Sequence, residues 1–208
     1  MICITPTKPL ITPVTSKTEI TEVQKFRYKI LVEELGLNAI PSIDHRRRLI
    51  GDYLDDKLSL FAAYAGDRIV GTIRCGLVSR MTQKPAALDQ ALAAGYGEGY
   101  LPEQLGICDR LAIASEHRGI WLNLELSIAA CHSLVRKGCT ACFCWARPRL
   151  CRLYQRLGFR DLGIVADGKT DQIRRVMRLE LSDLAHLKKI NSPFQEILEV
   201  AYRSDRKA

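Results

Sequence analysis

The sequence predicts an α/β (α+β) fold, with a mixed central sheet, helices on both faces and an extra C-terminal helix. Three observations predict it. Periodic segments run helix, hairpin, strand, helix, strand, helix, hairpin between residues 19 and 181, and a sheet covered on both faces is the simplest way to bury that series. The 208 residues, 47% hydrophobic and 26% charged, suffice for one domain with a sizeable core. No stretch approaches the roughly 20 apolar residues of a membrane span.

Each element has a local reason. Residues 1–18 carry three prolines and no continuous apolar region, and so read as an extension and not a signal peptide; the chain is expected to be soluble and cytoplasmic. From Glu19 to Leu35, Val23, Phe26 and Ile30 recur at helical spacing, Thr18 or Thr21 can cap the start, and Gly36 ends the run. Residues 38–56 are polar, contain His45-Arg46-Arg47-Arg48, and read as a loop. Residues 59–64 and 68–74 form a hairpin around Ala65-Gly66-Asp67. The Ala-, Gly- and Pro-rich stretch 80–105 reads as a short helix plus loop. A strand at 107–114, a helix at 122–137 closed by Gly138, a strand at 140–146 and a helix at 149–157 closed by Gly158 follow. Residues 160–165 and 174–181 make a last strand pair, and a helical tail begins at Ser182.

Composition narrows function. The C-x2-C-x-C run of Cys139, Cys142 and Cys144 has no second ligand pair at finger-like distance and lies in an apolar strand. It reads as buried reduced thiols and not as a metal site. The net charge of +8 is unevenly placed: residues 136–160 hold seven Lys or Arg and no acid. Such a run is either a solvated surface or a face for an acidic partner, which could be nucleic acid, an anionic membrane or an acidic protein.

Three motifs carry a resemblance. LAIASEHRG, residues 111–119, is similar to the strand and pyrophosphate turn of GNAT acyltransferases, L-x-V-x-P-E-x-R-G-x-G-x-G. PRLCRLYQRLGF, residues 148–159, resembles that family's late helix and Leu-Gly-Phe ending, and AAYAGDRIVGTIR, residues 62–74, its hairpin. The resemblance implies a single GNAT-like domain over residues 1–208. It implies a strand ending at Ile113 that splays from residues 140–146, leaving backbone groups for a pantetheine arm. Arg118, Gly119, Ile120 and Asn123, at a helix start, would then hold a donor phosphate. Tyr154 would protonate the departing thiolate; a packing tyrosine is the other reading.

The N-terminal half resembles the acyl-homoserine-lactone synthases and long-chain N-acyl amino acid synthases. The matching positions are Arg27, Leu35-Gly36-Leu37, Asp52 and Asp55 in D-x-x-D, Arg74, and Arg110 in DRLAI. Leu31 and Leu37 stand where aromatics are expected, and Ile50 and Ile107 where acids are. The missing acid at 107 argues against a lactone product and leaves the acceptor open.

Amide formation needs an attacking amine, a route for its proton and donors for the oxyanion. Asp52 and Asp55, three apart, share a face in a helical turn, and one could orient or deprotonate an ammonium. Arg27 and Arg74 would pair with these acids or hold a carboxylate, as would Arg110. An ion-pair cluster that only pins the loop remains the alternative. Glu116 and Asp109 are further candidate bases; Asp109 and Arg110 face opposite ways if their strand is regular. His117 and His132 read as structural.

Trp121 and Asn123 replace two glycines of the expected turn, which favours a donor with one phosphate. That points to an acyl carrier protein in preference to CoA, with its acidic helices docking on the stripe Arg149, Arg152 and Arg156. The resulting expectation is an N-acyltransferase moving a fatty acyl group from an acyl carrier protein (or CoA) thioester to the amine of an amino acid or similar small molecule. No resident cofactor and no metal are expected. The alternatives are an acetyl-CoA-dependent acetyltransferase and an inactive module binding nucleic acid; against the latter, only Trp145 and Tyr154 interleave with the basic run.

Overall fold

The computed structural model describes residues 8–38, 40, 42–166 and 173–205. In chain order the elements are β1 (Leu10–Val14), α1 (Lys17–Tyr28), a π-helical turn (Lys29–Glu34), β2 (Ile43–Asp44), β3 (Leu49–Ile50), a 3-10 turn (Tyr53–Asp56), β4 (Ser59–Ala65) and β5 (Arg68–Leu77). Then come α2 (Ala86–Ala93), β6 (Leu105–Ile113), a 3-10 turn (Ser115–His117), α3 (Ile120–Val135), β7 (Ala141–Ala146) and α4 (Pro148–Leu157). β8 (Arg160–Ala166), β9 (Arg174–Glu180), α5 (Leu184–Lys189) and α6 (Gln195–Asp205) end the chain. Seven strands form one mixed sheet in the order β1-β4-β5-β6-β7-β9-β8. The β6–β7 pair is parallel, while β1–β4, β7–β9 and β8–β9 are antiparallel. This is the α/β class that the periodicity predicts. No helix among the described residues is long and apolar enough to cross a membrane.

The chain divides into two compact units, Met1–Arg74 with Arg110–Ala129, and Cys75–Asp109 with Ala130–Ala208. In the first, β1 is an addition to the sequence reading. Pro13 sits opposite Phe61 on this strand at the end of the sheet order, and an edge strand tolerates the missing donor that makes such a segment look like coil. The cap of α1 is Ser16, and neither Thr18 nor Thr21: its Oγ accepts from Glu19 N at 3.2 Å, and Glu19 accepts from Ser16 N at 2.8 Å. Phe26 and Ile30 pack with Ala112 and Ala114, with Leu31, Leu35 and Ile69 around them. The expected loop 38–56 contains the small hairpin β2–β3, with Ile43 opposite Ile50. Gly71 is a close approach: a Cβ there would lie 2.9 Å from Leu126 Cδ1 and 3.2 Å from Leu122 Cδ2, so glycine admits the first turns of α3 against β5.

In the second unit, β7 pairs with β9 along its whole length, from Ala141↔Glu180 to Ala146↔Arg175. β7 also runs parallel to the start of β6, with Leu105, Gly106 and Ile107 opposite Ala141, Cys142 and Phe143. Cys139, Cys142 and Cys144 are buried, and all seven described cysteines are free thiols. Burial pushes the Cys131 and Cys144 thiols well up, so they stay protonated. Among the described residues no group of three or more His, Cys, Asp or Glu could hold a metal ion. Gly158 closes α4 at φ 114°, and a Cβ there would meet Leu187 Cδ2 at 2.4 Å. Arg178 ties residues 96–100 to β9: it donates to Tyr96 O at 2.7 Å and lies over the rings of Tyr96 and Tyr100. The tail holds two helices where the sequence suggests one. Ser192-Pro193 breaks it, because a residue before proline leaves the helical region, and Ser192 Oγ donates to Leu157 O at 2.6 Å.

Candidate active site

Four segments of the first unit bring their charged residues together. On α1, Gln24 and Arg27 lie one turn apart and share a face. The 3-10 turn supplies Asp52 as its cap and Asp55 as its third residue, each bonding back to the other's end of the turn. Arg74 comes from β5 and Arg110 from β6. Arg27 Nη1 donates to Asp55 Oδ1 at 2.7 Å, and Arg74 Nη1 to the same oxygen at 2.9 Å. Arg74 also holds both oxygens of Asp52, and Arg110 Nη2 donates to Asp52 Oδ2 at 2.8 Å.

Both carboxylates are saturated. Asp55 also accepts from Gln24 Nε2 at 3.0 Å and from Asp52 N at 3.4 Å. Asp52 also accepts from Leu54 N at 3.0 Å. Each therefore receives at least four bonds, enough to fill the lone-pair capacity of a carboxylate. Burial alone would raise both groups, but the arginines outweigh it. Arg74 and then Arg110 hold Asp52 down to about 2, and Arg27 and Arg74 hold Asp55 below its ordinary value. Burial lowers Arg27 too, against the pull of Asp55. Its Nε and Nη2 have no hydrogen-bond partner among the described residues.

Exposure separates the members. The side chains of Arg27 and Asp55 are 0% exposed and Arg74 1%, whereas Arg110 keeps 14% and Asp52 19%. Arg110 has φ 54°, so β6 is irregular there and the simple alternation expected of Asp109 and Arg110 does not apply. Among the contacts described, three guanidinium groups converge on two carboxylates.

Asp52 also links the cluster to acid stability. Its folded pKa lies below the ordinary 3.8, so the stabilisation is present above about pH 4 and is lost as pH falls through about 2. The expected loss is on the order of 2 kcal/mol. Urea unfolding between pH 6 and pH 2.5 measures it; Asp52→Asn should show the shallower pH dependence, and equal slopes would refute the assignment.

The turn before α3 is also in the first unit. Ala114 N donates to Val70 O at 2.9 Å, and the 3-10 turn Ser115–His117 leads to Arg118 and Gly119. A Cβ at Gly119 would meet nothing within 4 Å, so this side of the turn is open. Ile113 is buried, and its carbonyl accepts from Arg118 Nε at 3.0 Å. Arg118 Nη2 donates to Glu34 Oε2 at 2.7 Å, so the expected phosphate ligand already has an anionic partner. Ile120 opens α3, its side chain lying outside the described residues. Trp121 is 66% exposed, and Asn123 Oδ1 accepts from Ser127 Oγ at 3.4 Å.

Tyr154 and the α4 arginines belong to the second unit. The Tyr154 ring meets Phe159 edge-on, and among the described residues nothing hydrogen-bonds its hydroxyl. Burial and the neighbouring Cys144, Cys108 and Cys151 push the phenol upward, so it stays protonated. Arg149, Arg152 and Arg156 are exposed.

A family model described as N-acyl amino acid synthase FeeM matches residues 22–168, well over half of the chain. The chain belongs to the FeeM family. It is therefore an N-acyltransferase. Among solved structures, FeeM from uncultured soil microbes aligns at a TM-score of 0.65 and 16% identity, over 90% of this chain and 98% of that one. A CoA-dependent acyl-homoserine lactone synthase, BjaI, solved with SAM and isopentyl-CoA, aligns at 0.66 and 17%, over 93% and 99%. The acyl-homoserine lactone synthase LasI aligns at 0.62 and 14%, over 83% and 89%. At these identities the likeness is one of fold. Comparison with curated protein sequences gives no significant match.

Within this FeeM-family chain, two partners escaped the sequence reading. Gln24 could have been found, since its spacing to Arg27 puts both on one helical face. Glu34 could not: the π turn adds a residue per turn relative to the α-helix and rotates the face that follows it.

Proposed function

We propose that this member of the FeeM family joins a fatty acyl group, carried as a thioester, to the amine of an amino acid. The exposure that Arg110 keeps at the edge of the cluster carries the reading, because a guanidinium there would meet an acceptor carboxylate. Asp52 positions Arg110, and Asp55, Arg27 and Arg74 position Asp52 from beneath. Neither aspartate is read as the base: both are saturated, Asp52 is held down to about 2 and Asp55 below its ordinary value, and carboxylates so held are poor proton acceptors.

In the reaction the amine nitrogen forms the C–N bond, the thioester C–S bond breaks, and the ammonium proton leaves to water. Tyr154 would protonate the departing thiolate and recover its proton from solvent. Backbone groups where β6 ends at Ile113 would bond an extended pantetheine arm, as the resemblance to GNAT acyltransferases implies. The α3 turn would take its phosphate. We read the enzyme as cytoplasmic.

The donor is read as an acyl carrier protein docking on Arg149, Arg152 and Arg156. Changing all three to Gln is expected to lower kcat/KM with acyl carrier protein about tenfold at low salt, with the difference fading at high salt and a far smaller change with acyl-CoA. Mass spectrometry of lipid extracts from overexpressing cells tests the reaction itself. A new N-acyl amino acid supports it; turnover of acetyl-CoA without any long-chain product would replace it with an acetyltransferase.

A further inference from the structure

We propose that Glu34 selects among thioester donors by competing with their phosphates for Arg118. The inference rests on reading residues 115–123 as the donor turn. Arg118 is held in two ways: Nε is committed to Ile113 O at 3.0 Å, which fixes the guanidinium plane, and Nη2 meets Glu34 Oε2 at 2.7 Å. With Nε committed to backbone, the Nη edge is the side left for an anion, and Glu34 is on it. The pair is partly exposed, 39% for Arg118 and 23% for Glu34, so an incoming phosphate can reach it and the carboxylate can swing aside. Displaced, the carboxylate stays tethered at the end of the π turn and repels whatever replaced it.

That repulsion grows with donor charge. CoA brings roughly four negative charges, whereas phosphopantetheine brings about half as many and a carrier-linked phosphodiester about one. Glu34 thus disfavours CoA most, and it acts on the helix start independently of the glycines that Trp121 and Asn123 replace. Glu33 next to it pairs with Arg48 and not with the turn, which makes it an internal control.

Calorimetric titration of CoA and of 4′-phosphopantetheine into the full chain tests this, using Glu34→Gln, Glu33→Gln, Arg118→Gln and the Glu34→Gln/Arg118→Gln double variant. Thermal melts confirm that each is folded. Glu34→Gln is expected to tighten CoA about two- to fivefold, the scale of a partly exposed ion pair, with a smaller gain for phosphopantetheine. The gain should vanish in the Arg118→Gln background, and Glu33→Gln should give none. If Arg118→Gln weakens CoA but Glu34→Gln does not tighten it, or if Glu33→Gln tightens it equally, the competition is refuted and the donor turn stands. If Arg118→Gln leaves CoA affinity unchanged, the donor-turn reading itself fails.

Discussion

Asp55→Ala is expected to destabilise the protein by about 3–5 kcal/mol, the cost of removing one partner from a buried ion pair. Asp55 is fully enclosed and binds two enclosed guanidinium groups, Arg27 and Arg74. Without it Arg27 keeps a fully buried charge that Arg74 and Arg110 repel, while two of its nitrogens already lack partners among the described residues. Arg74 retains Asp52 and suffers less. Removing both ends of the pair should be much milder than removing one, because apolar residues of similar volume avoid the desolvation penalty. Arg27→Met/Asp55→Leu is therefore expected to recover most of the loss. Chemical denaturation of the three variants measures this, and a single-variant loss under about 1 kcal/mol would show that the cluster is not held by its charges.

The second large effect is on catalysis. Arg110→Ala is expected to lower kcat/KM for the acceptor about 30- to 100-fold, mainly through KM, which is the worth of one charge-assisted hydrogen bond to a bound carboxylate. Stability should change little, since Asp52 keeps both bonds from Arg74. Arg110→Lys should restore only part of the activity, because an ammonium cannot reproduce a planar two-pronged grip. The discriminating measurement uses the decarboxylated amine in place of the amino acid. If Arg110 binds the carboxylate, wild type and variant should use that amine equally poorly; a further large drop in the variant would assign Arg110 a different role.

The arginine–aspartate cluster shows where sequence reading stops. Gln24 with Arg27, and Asp52 with Asp55, are spaced so that each pair shares a face, and that spacing is written in the chain. Their joining is not: Arg27 reaches Asp55 across 28 residues and Arg110 reaches Asp52 across 58. The same gap appears at Arg118. Its place before a helix start is legible in SEHRGIW, but its partner Glu34 lies 84 residues away, after a π turn that no periodicity announces. At the N-terminus, Pro13 hid a strand because proline is tolerated only where no neighbour needs its missing N–H.

By itself, then, the sequence determined the α/β class, most element positions and the residue types available for acyl transfer. Periodicity, caps and turn glycines act over a few residues, and those forces are encoded by spacing. Only the tertiary structure decided which acids are saturated, which arginine stays exposed and what occupies Arg118. Proton affinity and the availability of a donor depend on burial and on distances of about 3 Å between segments remote in the chain, and no local pattern records them.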